Sequence, residues 1–408
     1  MMISYQEAKV SIEKHLFEMD VEKISLKNVG NHILAQNICA ISPSPLFDNS
    51  AMDGFAVCAL DTKGASKDTP ITLKNIDVSA AGTPSSVELK SGECIQCMTG
   101  AKIPEGADAI VMVEDSSGFI NNDTVQIYKV TVPGKHIRRM GEEIKEGDLL
   151  IPKGTRISPS EIGAIATIGM AEVLVSQKPK IAIFGTGNEL VEPGNSLKDG
   201  QIYNSNLFIF AELAEQAGAE ILFSHVIKDD KDSLKEFLSK ALETCDIIIS
   251  SGGVSMGKYD YIREVFMDLG VSEHFWKVAQ KPGKPLFFGT GHGTLIFGLP
   301  GNPVSSYIGF MEWVWPVLER LMGETKSKPI RGILTKPFPR EKGKQRFLFG
   351  TAWIEKGQLL CKPAIKVGSH MLTSSLKSNC ILSAEAGNQP LEIGDNIIVK
   401  ILPWKSIK

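Results

Sequence analysis

The chain has 408 residues, a formal net charge of −3, 43% hydrophobic residues and a mean hydropathy near zero, as expected of a globular protein with about two to four domains. The slightly negative charge argues against nucleic acid as a partner, and no apolar run approaches the length of a membrane span. Seven cysteines, an odd number, behind an opening Met1-Met2-Ile3-Ser4-Tyr5 unlike a signal peptide, predict reduced thiols in the cytoplasm.

Ser4 with Glu7 three residues on predicts a capped helix at the start of the chain, followed by a proline-punctuated connector, Ser42-Pro43-Ser44-Pro45. From about Asn49 to Val132, short β-like runs such as Ala109–Val113 and Thr124–Tyr128 alternate with glycine turns and predict an all-β module. Cys94 and Cys97 form a CxxC within it. On a strand, residues three apart point to opposite faces, so neither a metal pair nor a disulfide is expected, and no second CxxC completes a zinc site.

From Lys180 to Met322 strand and helix patterns alternate, which predicts a doubly wound α/β domain. Five apolar runs end in polar, mostly glycine-rich loops. These are Gly185-Thr186-Gly187-Asn188-Glu189, Lys228-Asp229-Asp230, Ser250-Ser251-Gly252-Gly253-Val254-Ser255, Gln280-Lys281-Pro282-Gly283-Lys284 and Pro300-Gly301-Asn302-Pro303. In an open parallel sheet such loops share one crevice at the carboxyl ends of the strands, where ligands bind. The Ser/Gly loop after Ile249, with a helical pattern following Asp260, suits phosphate through close backbone N–H groups and a helix N-terminus. Leu190 stands where a dinucleotide fingerprint needs its third small residue, which excludes an NAD site. Between the loops, apolar spacing of three and four predicts helices through Leu207–Ala217 and Leu234–Leu242, the second with a Ser233/Glu236 capping box. Asn302 before Pro303 predicts the start of a helix carrying Met311, Val314, Trp315 and Leu318. Beyond Lys328, runs such as Arg346–Phe349 and Asn396–Ile401 predict a small barrel or sandwich.

Together, Asp48-Asn49-Ser50-Ala51-Met52-Asp53-Gly54, Met98-Thr99-Gly100-Ala101, Ile137–Glu143, the Ser-Ser-Gly-Gly-Val-Ser loop, Lys281–Pro285 and Gly298–Ser305 resemble the MoeA family of molybdopterin molybdenumtransferases, to which the gephyrin E domain also belongs. The resemblance runs through nearly the whole chain in order. It implies a multidomain α/β plus β protein with a split N-terminal domain (1–48 and 139–176), an inserted β-rich domain (49–138), a doubly wound α/β domain (177–327) similar to a molybdopterin adenylyltransferase, and a C-terminal small β-barrel (328–408). The segment from about Arg139 to Ser176 is expected to return beside the N-terminal helix.

The resemblance further implies a Mg²⁺-dependent enzyme that inserts molybdate into adenylylated molybdopterin and releases AMP, works as a homodimer, and exchanges material with the preceding adenylyltransferase and with apo-molybdoenzymes. Asp229, Asp260 and Glu189 offer hard oxygen ligands for Mg²⁺. Asp230 reads instead as a helix cap. Thr186, Gly187, Gly252, Gly253, Ser255, Pro300 and Asn302 are implied in binding adenylyl-molybdopterin. Lys281, Lys284, Ser305, Arg346 and Ser369 match the oxyanion pocket, with Lys277 a weaker match. One lysine contact to an anion is worth up to about 4 kcal/mol at an effective dielectric near 20, although charge alone does not separate molybdate from sulfate. Asp53 and Thr99, with Glu143, are implied to complete the active site of the other subunit. The implied catalytic set is Asp53, Thr99, Glu189, Asp260 and Lys281.

Two departures stand out. Asn188 sits where many relatives carry Asp, and Lys344–Gly350 lacks the more common second arginine. The rival readings are a nucleotide-cleaving enzyme on the same α/β core, which needs neither the Asp48–Gly54 module nor the barrel, and a molybdopterin-binding scaffold without turnover.

Overall fold

The computed structural model describes residues 2–119, 123–252, 261–325, 330–365, 368 and 370–407. The first helix, Tyr5–Glu13, carries the expected capping box: Glu7 N donates to Ser4 Oγ at 3.1 Å and Ser4 N donates to Glu7 Oε2 at 2.7 Å. Its buried side chains, Ala8 and Ile12, pack into the α/β core with Phe288 and Trp313, and Met2–Ile3 adds an edge strand to the central sheet. The segment after Arg139 therefore does not return beside this helix. It returns beside residues 21–40, where Glu172–Ser176 pairs antiparallel with Val21–Ser25 and Leu149–Ile151 pairs with Ile38–Cys39 over a core that includes Leu34, Ile157, Ile165 and Val173. The helix follows its apolar stripe to the larger, aromatic core.

Between these halves lies a five-stranded sheet in the order Ala109–Met112, Gly54–Val57, Glu93–Cys97, Ile71–Ser79, Thr124–Ile127. Cys94 packs with Phe55 and Val111, whereas Cys97 packs with Ala56 and Ile110 in a separate cluster, as the strand alternation requires.

The central domain comprises β1 (Lys180–Thr186), α1 (Asn206–Ala217), β2 (Glu220–Ile227), α2 (Lys231–Thr244), β3 (Ile247–Ser251), α3 (Tyr261–Asp268), β4 (Ser272–Val278), β5 (Pro285–Gly291), β6 (Thr294–Leu299), α4 (Pro303–Gly309) and α5 (Trp315–Leu321). The sheet order is Met2–Ile3, β4, β5, β6, β3, β1, β2. Strands β2, β1, β3 and β6 are parallel, while β5 runs antiparallel to both β4 and β6. The sheet is thus mixed, because the chain turns back at Pro282-Gly283 without a crossover helix. Ile181, Ile183, Ile247 and Ile249 face α1 and α4, and Ala182, Phe184 and Ile248 face α2 and α3, so both faces are covered.

Helix α2 begins one turn before the expected capping box. The Asp230 side chain caps it, accepting from Ser233 N at 2.9 Å, so the Ser233/Glu236 box does not form the start. The last predicted helix is interrupted by a π-helical turn at Phe310–Val314. Pro316 has no N–H to return to the preceding turn, and Lys400 Nζ from the barrel donates to the Met311 carbonyl there.

At the C-terminus, Gln345–Glu355, Gln358–Pro363, Ile330–Leu334, Asn396–Ile401 and Cys380–Ala384 form a closed barrel, the last strand pairing back onto the first. Its core includes Phe338, Leu348, Cys361 and Leu382.

Candidate functional site

Because β4 is antiparallel to β5 and β5 to β6, β4 runs in the same direction as β1, β2, β3 and β6. All five predicted loops consequently leave from one edge of the sheet. The loop after β4 forms a two-residue strand, Gln280–Lys281, that pairs in parallel with the first barrel strand, placing Gln280 opposite Gln345 and Lys281 opposite Arg346. A cavity of about 510 Å³ opens at this junction. Lys281, Lys284, Pro300, Asn302, Ser305 and Arg346 all line it, together with Lys344 and apolar walls from Val304, Ile308, Phe347 and Phe349. Asn302 occupies the N-cap position of α4 but makes no side-chain capping bond.

Gln280, only 2% exposed, braces the loop: its Nε2 donates to Gly283 O at 2.8 Å and its Oε1 accepts from Trp313 Nε1 at 3.0 Å. Gly283 takes φ +82°, and a Cβ there would sit 3.0 Å from Gln280 Nε2, so the tight turn needs glycine.

Positive charge dominates the cavity. Arg346 is 8% exposed, and burial pushes its guanidinium pKa down against the opposing influence of Glu341. Among the described residues, Glu341 is the carboxylate that pairs with the cavity cations: its Oε2 lies 2.8 Å from Lys281 Nζ and its Oε1 pairs with Lys344 Nζ. Hydrogen bonds from Lys281 and Lys344 lower the Glu341 carboxyl pKa to about 2.

The other end of the crevice is acidic. Burial, then Glu189, then Asp230 raise the Asp229 carboxyl pKa. Glu189 folds over Gly187, where an added Cβ would lie 2.6 Å from its carboxylate oxygens, and Gly187 has φ +146°. Gly252 has φ +83°, and a Cβ on Gly301 would reach its Cα at 3.9 Å, so the loops after β3 and β6 run side by side. Thr186 ends β1 next to them. Among the described residues no three His, Cys, Asp or Glu side chains form a metal-sized group. Gly253, Ser255, Asp260 and Ser369 lie outside the described residues.

Asp53 and Thr99 are joined to each other. Thr99 N and Oγ1 both donate to Asp53 Oδ1, at 2.7 and 3.0 Å, on an exposed surface of the inserted module. Neither lines the cavity. Nor does Glu143, which accepts from Ser44 Oγ at 3.1 Å, or Lys277 of β4.

Four residues at the site are not among those singled out from the sequence. Gln280 and Lys344 carry no motif signal beyond their neighbours. Glu341 becomes visible only once the barrel closes. Asn206, 8% exposed, ties three loops together, because its Nδ2 donates to Ser251 Oγ and to Gly301 O, each at 2.8 Å. Its Oδ1 and the buried Ser250 Oγ have no hydrogen-bond partner among the described residues.

Comparison with known proteins covers the whole of this architecture. The family model for the MoeA N-terminal region (domains I and II) matches residues 3–169, that of a probable molybdopterin binding domain matches 182–320, and that of the MoeA C-terminal region (domain IV) matches 331–402. The molybdopterin molybdenumtransferase of Haemophilus influenzae is 34% identical over 98% of each chain. The enzyme of the same name from Bacillus subtilis is 35% identical over 94% of this chain and 90% of its own. The crystal structure of the molybdopterin biosynthesis MoeA protein of Pyrococcus horikoshii OT3 superposes with a TM-score of 0.81 at 29% identity, covering 98% of this chain and 100% of that one. With all three regions matched in order and full-length relatives above 30% identity, the chain belongs to the MoeA family of molybdopterin molybdenumtransferases.

Proposed function

We propose that this protein is a molybdopterin molybdenumtransferase that inserts molybdate into adenylylated molybdopterin, releasing AMP and giving molybdenum cofactor. The observation that carries the reading is the single cavity to which Lys281, Lys284, Ser305 and Arg346 converge from two domains, beside a crevice with the glycine-rich loops of a nucleotide site. Lysine, arginine and serine supply the donors a tetrahedral oxyanion requires, and the apolar walls raise the strength of each contact.

In this scheme the substrate's adenylyl and pyrophosphate groups lie along Thr186, Gly187 and Gly252, where the backbone can approach closely. Pro300 and Asn302 then lie between the two ends, facing the pterin side. Lys281 and Arg346 hold molybdate next to the dithiolene, and Ser305 donates from the first turn of α4. Asp229 and Glu189, with Asp260, are the residues that would hold Mg²⁺. Carboxylate oxygens fit a hard cation, and burial, then the neighbouring Glu189, raise the Asp229 carboxyl pKa, so added positive charge would favour its ionised form. Bound there, such a cation would supply charge neutralisation at the phosphoanhydride. Asp53, held by Thr99, is proposed to reach the active site of a partner subunit in a homodimer, together with Glu143. We further place the protein in the cytoplasm, between a molybdopterin adenylyltransferase and apo-molybdoenzymes. No helix among the described residues is long and apolar enough to cross a membrane.

The test is AMP release from adenylyl-molybdopterin with Mg²⁺, with and without molybdate, alongside transfer of active cofactor to an apo-enzyme. Molybdate-stimulated release with transfer is the expected result. Binding without turnover would replace this reading with that of a scaffold.

A further inference from the structure

We propose that Glu341 is a built-in competitor of the oxyanion, a tethered carboxylate that occupies the hydrogen-bonding capacity of Lys281 and Lys344 until a tetrahedral dianion takes them over. The inference rests on the cavity being the oxyanion site proposed above.

The geometry is that of a two-armed clamp. One carboxylate oxygen takes Lys281 from the α/β domain and the other takes Lys344 from the barrel. Glu341 is itself absent from the cavity lining, whereas Lys281 and Lys344 both belong to it, so the carboxylate holds the ammonium groups of two lining residues from outside the cavity. Lys281 is also the residue placed opposite Arg346 in the parallel ladder. Arg346 has no ion-pair partner within 4 Å among the described residues, so the cavity holds one buried cation ready for an anion and two that are already engaged.

An arriving dianion meets Lys284 and Arg346 first, then draws Lys281 and Lys344 away from Glu341. Each ammonium has three N–H donors, so it can share the arriving anion with Glu341 before exchange, and the released Glu341 carboxylate, its side chain 33% exposed, is then met by solvent. Both pairs are partly solvated, with side chains 28–52% exposed, so each contributes modestly and yields to a better-placed dianion. Without Glu341, the four cavity cations would form an unopposed trap for any tetrahedral dianion, sulfate and phosphate included. With it, affinity is held down and the anion leaves more readily. The assignment concerns binding strength and release. It does not separate molybdate from sulfate, which carry the same charge.

The experiment is calorimetric titration of the full-length protein with molybdate, tungstate and sulfate at fixed ionic strength, for the unaltered chain, Glu341→Gln and Glu341→Asp. Glu341→Gln keeps the turn hydrogen bonds made by the backbone carbonyl at this position, from Lys344 N and Gly387 N. It is expected to bind each dianion on the order of tenfold more tightly, as loss of two partly exposed ion pairs implies. Glu341→Asp, whose shorter carboxylate cannot hold both lysines, should fall between. It also serves as the test if the glutamine variant does not fold. Equal or weaker binding by these variants means that Glu341 positions the lysines productively, and overturns the competitor assignment while the oxyanion site stands. If the unaltered protein binds none of the anions, the proposed function and this inference both fall.

Discussion

Lys281 and Arg346 stand opposite each other in a parallel pairing of two short strand segments, one from a loop of the α/β domain and one from the first strand of the barrel. Each domain brings two cations to the cavity, Lys281 and Lys284 from the α/β loop and Lys344 and Arg346 from the barrel, and only the pairing of the two segments gathers all four. The junction, rather than either fold, makes the site.

Arg346→Ala is therefore expected to weaken oxyanion binding by roughly ten- to hundredfold, since hydrogen bonds to charged groups contribute about 1.5–3 kcal/mol. Arg346→Lys should recover only part of that, because an ammonium cannot reproduce the planar fork. Equilibrium dialysis with tungstate measures both. The melting temperature of Arg346→Ala should be unchanged or slightly higher, since a buried charge without an ion-pair partner is removed. A large loss of stability would point to a structural role instead.

Asn206 acts as a positioning residue for three crevice loops. Replacing it with alanine leaves Ser251 Oγ and Gly301 O without their donor and should cost about 1–3 kcal/mol in denaturant unfolding. For substrate, KM should rise more than kcat falls, because loop geometry is disturbed while the oxyanion donors remain. A fall in kcat at unchanged KM would contradict this.

The Asp53–Thr99 contact carries a pH signature. Hydrogen bonds from the Thr99 backbone and then its hydroxyl lower the Asp53 carboxyl pKa. A depressed folded-state value means that the contact's contribution is present above the ordinary aspartate pKa and is lost as pH falls through the lower folded value. Thr99→Val keeps the amide donor and removes the hydroxyl, so the Asp53 midpoint should move part of the way up in an NMR titration. If it stays where it was, the hydroxyl does not matter to this carboxylate.

Thiol chemistry tests the core. Cys39 is exposed and Cys58 half-buried, whereas Cys94, Cys97, Cys245, Cys361 and Cys380 are buried and free. Burial raises the Cys94 and Cys380 pKa values to about 12 and those of Cys97 and Cys361 to about 11. At pH 8, labelling of the native protein should stop at Cys39 and Cys58, and all seven thiols should react in denaturant. Native labelling at Cys94 or Cys97 would contradict the strand that buries them on opposite faces.

Sequence reasoning went furthest where chemistry is local. The Ser4/Glu7 capping box, the opposed faces of Cys94 and Cys97, the cap formed by Asp230 and the five loops at the strand ends all follow from short-range pattern, because hydrogen bonding to the next turn and side-chain alternation are set within a few residues. The Lys281, Lys284 and Ser305 positions were legible through the motifs that contain them. Long-range pairing decided the rest. That the first helix packs on the α/β core, that β5 runs back against its neighbours, and that Glu341 reaches Lys281 across a domain boundary depend on which apolar surfaces meet once the chain collapses. The sequence by itself determined the kinds of groups available and the loops that carry them. The tertiary structure decided which of those groups share one cavity and which carboxylate opposes them, since contacts between residues sixty positions apart are selected by packing and not by local preference.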